Sequence, residues 1–232
     1  MSCQHEHEHS HGHDHDHDHG DHVPPIPTNE SQSLRQYIDF SKVRGLNIAQ
    51  PNEEIYQIFK SQEDKFSLKF KLTSDADSQL ILNIPFIGFV KIFSVILRTN
   101  GNEDHCPRTI KVFKNANDID FDSDKKPTFV INHPLIGVND DEIDEEDKNE
   151  NLFIEHYLPR SKFQSTTQLT LFFHDNWSDD EDEILKIYDI ELRGQFTSPL
   201  SKDPIVTVYE SAANPTDHKN ILAQENKNQS SI

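Results

Sequence analysis

The chain has 232 residues, with 22 Lys and Arg against 41 Asp and Glu, giving a formal charge of −19 with histidine neutral. Residues 1–22 hold six acids and no Lys or Arg, residues 139–150 hold eight acids and one Lys, and residues 179–183 are five acids in a row, so the remainder is close to neutral. No basic stripe offsets these blocks, which argues against nucleic-acid binding through phosphate contacts, and no apolar run approaches the ~20 residues of a membrane-spanning helix.

The leader alternates histidine with Glu, Asp, Ser or Gly at His5, His7, His9, His11, His13, His15, His17 and His19, and adds His22. Such a segment buries nothing and is expected to be disordered over residues 1–29, ending in the Pro-rich hinge VPPIPTN. Neutral imidazoles with carboxylates between them can wrap Zn, Ni or Cu(II) in interchangeable modes, without the fixed geometry of a structural metal site. The plainer alternative is a solvated tail that binds metal adventitiously. Its charge runs from −6 with neutral histidines to +3 with all nine protonated, so it responds to pH near ~6.5. It lacks the basic start and apolar run of a secretory signal, so cytoplasmic and nuclear residence is expected, and the sequons at Asn29, Asn176 and Asn228 are read as chance matches.

Residues 34–47, with Leu34, Tyr37, Ile38 and Val43 near helical spacing, suggest a short helix or two turns. From Phe66 the period changes: FSLKFKL sets Phe66, Leu68, Phe70 and Leu72 against Ser67, Lys69 and Lys71, which predicts a strand with one buried face. Further strands are predicted at 79–84, 89–98, 109–113, 128–132, 152–157, 168–173, 184–194 and 205–209, separated by turn-like segments such as SDAD, KNAND and HPLIGVNDD. About nine short strands with almost no helix between them predict an all-β, antiparallel sandwich or jelly roll over residues 30–212. Parallel βαβ architecture is excluded for want of amphipathic connections. Residues 213–232 make a C-terminal segment, an ANPTDHK turn followed by a Gln-, Asn- and Ser-rich tail expected to be disordered.

The two loop acidic blocks are too charged to be buried without partners and are expected to project into solvent, as interaction surface or as solubilising loops. DIDFDSDKKPTF has Asp118, Asp120, Asp122 and Asp124 at alternate positions, yet neither register supplies the Gly and Glu of a calcium-binding EF-hand loop, so an acidic surface turn is expected. Cys3 and Cys106 make no disulfide framework and no C-x-x-C, and Cys106 is read as a reduced thiol beside a turn. His105, His133, His156 and His174 form no motif. His174-Asp175 lacks a nucleophile elbow, and the seven glycines form no phosphate-binding loop, so no enzyme and no cofactor are expected. Trp177, the single tryptophan, is read as a loop residue folded over the sandwich rim, or as a binding anchor beside Asp179, Asp180 and Glu181.

Three stretches, SDADSQLILNIPFIGFVKI (74–92), LTLFFHDNW with ILKIYDIELRGQF (169–177 and 184–196) and YESAANPTDHK (209–219), together with TIKVFKN (109–115) and YIDFSKVRGLN (37–47), resemble the PITH domain, the proteasome-interacting domain of thioredoxin-like proteins. The resemblance covers roughly residues 30–219 and implies a galactose-binding-like jelly roll. It also implies cytoplasmic and nuclear residence and association with the regulatory particle of the 26S proteasome. No C-x-x-C precedes the module, so the likeness is to stand-alone members and implies no disulfide reductase activity. In these motifs Asp75 and Asp77 are expected to close an Asx-type turn, and Asn83, Pro85 and Phe86 to set a bend or bulge. Asn214, Pro215, Asp217 and His218 form a surface turn open to two readings, a latch onto the domain or a partner epitope. The expected function is a monomeric, non-enzymatic module binding a protein complex through rim loops and the C-terminal segment. Small-ligand or glycan binding in the loops and metal handling by the leader are the alternatives.

Overall fold

Where the sequence suggests two strands, at 79–84 and 89–98, twenty residues form one. In the computed structural model, which describes residues 26–139 and 145–200, this strand is β3 (Leu80–Thr99). The others are β1 (Arg44–Leu46), β2 (Leu72–Thr73), β4 (Thr109–Lys114), β5 (Phe129–Asn132), β6 (Ile154–Tyr157), β7 (Thr166–Phe173) and β8 (Lys186–Pro199). All strand pairs are antiparallel, as expected. The predicted strand at 205–209, the turn bearing Asn214, Pro215, Asp217 and His218, and the leader histidines lie outside the described residues.

β3 stays continuous because its Ile-, Leu- and Val-rich run suits a buried pleat, and the expected bend at Pro85 is absorbed as a register shift instead of a turn. Over residues 80–85 it pairs with β1 on one side and β7 on the other, and from Gly88 onward with β8 and β6. β3 thus passes from one layer, β1-β3-β7-β4-β5, into a second, β6-β3-β8-β2. Its buried core positions run 80, 82, 84, 86, 90 and 92, then switch to 95 and 97 across a second shift between Ile92 and Ser94. A strand shows alternate residues to one face, so an extra residue is what exchanges the inward set. Between the layers Ile110, Val112, Leu169, Leu171, Phe173, Ile187, Ile190 and Leu192 complete the core. Each such side chain contributes about 1.5–3 kcal/mol against the entropy of ordering the chain.

The segment 66–72 does not form the predicted strand. Only Leu72 and Thr73 reach β8, while Ser67 bridges Glu146, the Leu68 N–H donates to the Glu145 carbonyl and the Asp147 N–H to that of Phe66. Of its four apolar residues only Leu68 and Leu72 are buried, and its backbone is satisfied by the end of the acidic block. Residues 34–47, expected to hold a short helix or two turns, form the 3-10 turns Arg35–Tyr37 and Phe40–Lys42, preceded by Glu30–Gln32, which Asn29 caps. These bring Leu34, Ile38 and Val43 into the core. The expected turn at Asp77 is present, its carboxylate accepting from the Gln79 N–H and the Asn47 amide. The DIDFDSD turn is anchored, not free: Ile119 is buried with Ile81, Phe113 and Phe172, and Phe121 stands edge-on to Phe172.

Candidate interaction surface

At one end of the first layer the start of β4, the end of β5 and the end of β7 converge. Leaving β7, Asp175 accepts from the Thr109 N–H at 2.7 Å and from Arg108, tying the β7 exit to the β4 entry. The Arg108 guanidinium also grips Asp179, and the two carboxylates hold its proton more firmly than usual, while Arg108 keeps the Asp179 carboxyl below its ordinary range. Trp177 and Ser178 donate their N–H groups to the Glu103 carbonyl, and the Trp177 Nε1–H donates to the His133 carbonyl at 3.1 Å. Asn176, fully buried beneath, donates to the carbonyls of Asp104 and Asp180, while its Oδ1 has no partner among the described residues.

The acidic run is therefore held in one shape. Asp179 takes a left-handed φ of 57°, the Asp182 N–H donates to the Asp180 carboxylate, and the Ser78 N–H donates to the Glu181 carbonyl. Asp180, Glu181 and Asp182 stay exposed with no ion pair among the described residues, as the sequence suggests. The other block differs from expectation. Residues 140–144 lie outside the described residues, but Asp147 turns back, its carboxylate 3.3 Å from the buried Arg98 guanidinium, instead of projecting into solvent.

The HPLIGV segment after β5, read from sequence only as a turn, carries Leu135 and Ile136, each 41% exposed, next to the 37%-exposed Trp177. Two bonds clamp it to the end of β3, Val138 N–H to the Thr99 carbonyl and Gly101 N–H to that of Val138. A side chain at Gly137 would run into the backbone of Thr99 and Asn100, so this loop lies against β3 at a separation only glycine permits. Apolar residues inside a turn segment were the available signal. Arg108 had none, since its partners are 67 and 71 residues away.

Under this rim the fold assembles a relay that no sequence motif announces. Thr99 Oγ1 lies 2.9 Å from His133 Nε2, and His133 Nδ1 lies 2.8 Å from His156 Nε2. The Thr99 hydroxyl also lies 3.3 Å from the Ile136 carbonyl, so one oxygen joins the His133 ring to the HPLIGV loop. Burial pushes His133 down to about 3, helped by the neighbouring His156, and His156 down to about 4, so both rings are neutral at physiological pH. Cys106 Sγ, 3.7 Å from the same hydroxyl, is buried and pushed up to about 11, which keeps the thiol protonated. The relay braces the loop without supplying a thiolate or an imidazolium.

A second polar cluster lies in the other layer. Asp189, 4% exposed, accepts from the Lys60 N–H at 3.2 Å on the wall of a cavity of about 180 Å³ that Arg35, Phe59 and Glu191 also line. Burial raises Asp189 to about 7, and burial lowers Lys60 to about 8 against the pull of Asp189. The Lys60 ammonium is engaged by the Ser67 carbonyl and Glu191 by Arg193, so the cluster's charges are spent within the fold.

Among known proteins the PITH domain family matches residues 24–213. A PITH domain-containing protein of Drosophila melanogaster is 34% identical over 191 residues, covering 81% of either chain, and human PITH domain-containing protein 1 is 27% identical over 199 residues, covering 84% of this chain and 85% of its own. A solved carbohydrate-binding module, CBM32-3 from a family 31 glycoside hydrolase of Clostridium perfringens, aligns over 72% of this chain and 100% of its own with a TM-score of 0.39 and 9% identity. Matched over most of its length by the family, and more than 30% identical to a relative it largely covers, the chain belongs to the PITH domain family.

Proposed function

We propose that this protein is a non-enzymatic interaction module that docks on a protein complex through the rim formed by Leu135, Ile136, Trp177 and residues 179–183. The observation that carries this reading is the rigid hold on exposed groups: a half-exposed tryptophan and two aliphatic residues beside an acidic run whose backbone is fixed by hydrogen bonds. Docking surfaces combine an aromatic or aliphatic anchor with charges that select the partner, and a rim already ordered loses little entropy on binding. The partner surface it complements is apolar with a basic border.

Membership in the PITH family supports a proteasome-related role, and the regulatory particle of the 26S proteasome is the complex we assign as partner, with Asn214, Pro215, Asp217 and His218 as a second contact. With that role we propose residence in the cytoplasm and nucleus, which fractionation of cells carrying a tagged chromosomal copy checks. The docking test is co-purification of the tagged protein with assembled proteasomes at low salt with ATP. Recovery that drops when residues 179–183 are neutralised is the expected result, and absence of the wild type from assembled proteasomes would overturn the assignment.

A further inference from the structure

The end of the first layer carries a strand edge with no second partner among the described residues. β5 is Phe-Val-Ile-Asn and pairs only with β4 among the described residues. The phase of that pairing is fixed by the His133 N–H donating to the Arg108 carbonyl at 2.7 Å. With Thr109 opposite Asn132 and Val112 opposite Phe129, that bond sets Phe129 and Ile131 with their backbone groups toward β4, while Val130 and Asn132 turn N–H and C=O outward. Both outward residues are exposed, Val130 at 40%.

Proteins ordinarily blunt such an edge with a charge, a proline or a bulge inside the strand. This strand has none of these, only Pro127 and Pro134 on either side of it. Exposed apolar groups surround it: Phe121 stands against Phe172 on the outer face, and Leu135, Ile136 and Trp177 lie beyond its end. Its charges are asymmetric. At the His133 end stand Asp180, Glu181 and Asp182, with Asp175 and Asp179 already held by Arg108. At the Thr128 end the Lys162 ammonium reaches the Thr128 carbonyl, Lys125 pairs with Asp118, and Lys126 shares its loop with Asp120, Asp122 and Asp124.

We infer that β5 is a strand-addition site that takes an extended segment of a partner protein, antiparallel, with apolar residues at alternate positions and Lys or Arg just N-terminal to them. Antiparallel addition is the pairing of every strand in this sheet, and it sets the N-terminal end of the incoming segment beside His133, Trp177 and the uncompensated acids. Main-chain bonds from Val130 and Asn132 hold the segment, and the acidic end selects its direction. The inference rests on the reading of the chain as an interaction module and supplies the chemistry of its partner.

The test uses the full chain and a fluorescein-labelled synthetic peptide of two arginines followed by alternating threonine and valine, with a control in which the arginines follow. Fluorescence anisotropy is expected to report binding of the first at least tenfold tighter than the second, weakening with salt, and amide exchange at Val130 and Asn132 to slow at least tenfold. Val130→Pro removes one outward N–H without touching the β4 ladder and is expected to weaken binding tenfold or more. Should that variant not fold, Val130→Lys, which blunts the edge and leaves the backbone intact, carries the same expectation. Undiminished binding by a folded edge variant, no protection at Val130 and Asn132, or no preference between the peptides would overturn the inference. So would a dimer in sedimentation that Val130→Pro abolishes, since the occupant would then be a second copy. Undiminished co-purification of Val130→Pro with proteasomes overturns strand addition alone, whereas loss of wild-type co-purification overturns only the assigned complex.

Discussion

Arg98 is the largest fully buried side chain among the described residues. It is fully buried near the end of β3, donates to the carbonyls of Lys65, Phe66 and Asp147, pairs with the Asp147 carboxylate and lies over the Phe153 ring, while its Nε has no partner among the described residues. It therefore joins the 61–70 segment to the end of the acidic block. Arg98→Met should destabilise by about 3–5 kcal/mol, read from urea unfolding, because three carbonyls and a carboxylate are left facing an apolar chain. Asp189 makes the opposite kind of demand. Its folded value of about 7 stands above the ordinary 3.8, so folding favours the neutral form: the stabilisation is complete below pH ~4 and is lost as pH rises through about 7. Asp189→Asn keeps an acceptor for the Lys60 N–H but does not ionise. Compared by urea midpoints at pH 5 and 8, the wild type should lose more than about 1 kcal/mol relative to this variant as pH rises.

The strands show which local patterns survive assembly. β4, β5 and β7 were legible as short β-branched or aromatic runs between turn residues, and they form within two residues of the expected ends. From sequence β3 reads as two strands because Asn83, Pro85 and Phe86 look like a bend. In the sheet Pro85 needs no outward donor, its carbonyl accepts from the Asp39 N–H, and a register shift takes up the bend. The 66–72 alternation failed for the converse reason, since a period of two predicts a buried face but not which backbone lies alongside. Close approach of β3 and β8 makes a test at this scale. A Cβ at Gly194 would strike the Lys91 carbonyl and come within 2.9 Å of Leu34 Cδ1, and the carbonyl cannot retreat without opening the ladder at Ile92. Gly194→Ala should therefore cost about 1–3 kcal/mol, seen as a lower midpoint in thermal unfolding.

Across the whole molecule the charge of −19 divides by place more than by amount. The leader's share follows pH, one loop block ends in a buried ion pair, and the run at 179–183 stands fixed on the rim. The main core is drawn from Leu34 to Leu192, so removing residues 1–22 should leave the urea midpoint within about 0.5 kcal/mol of the full chain. The sequence alone determined the all-β class, the antiparallel pairing, the family and two components of the candidate surface, Trp177 and the acids beside it. Each is written in local periodicity, turn chemistry or composition, which need no knowledge of what packs against what. Only the tertiary structure decided that Arg108, His133, Leu135 and Ile136 join them, that His133 and His156 meet as two neutral rings beneath the rim, and that β5 ends the sheet with no second partner strand among the described residues. Those facts depend on which strand ends meet across separations of tens of residues, and no local pattern encodes such meetings.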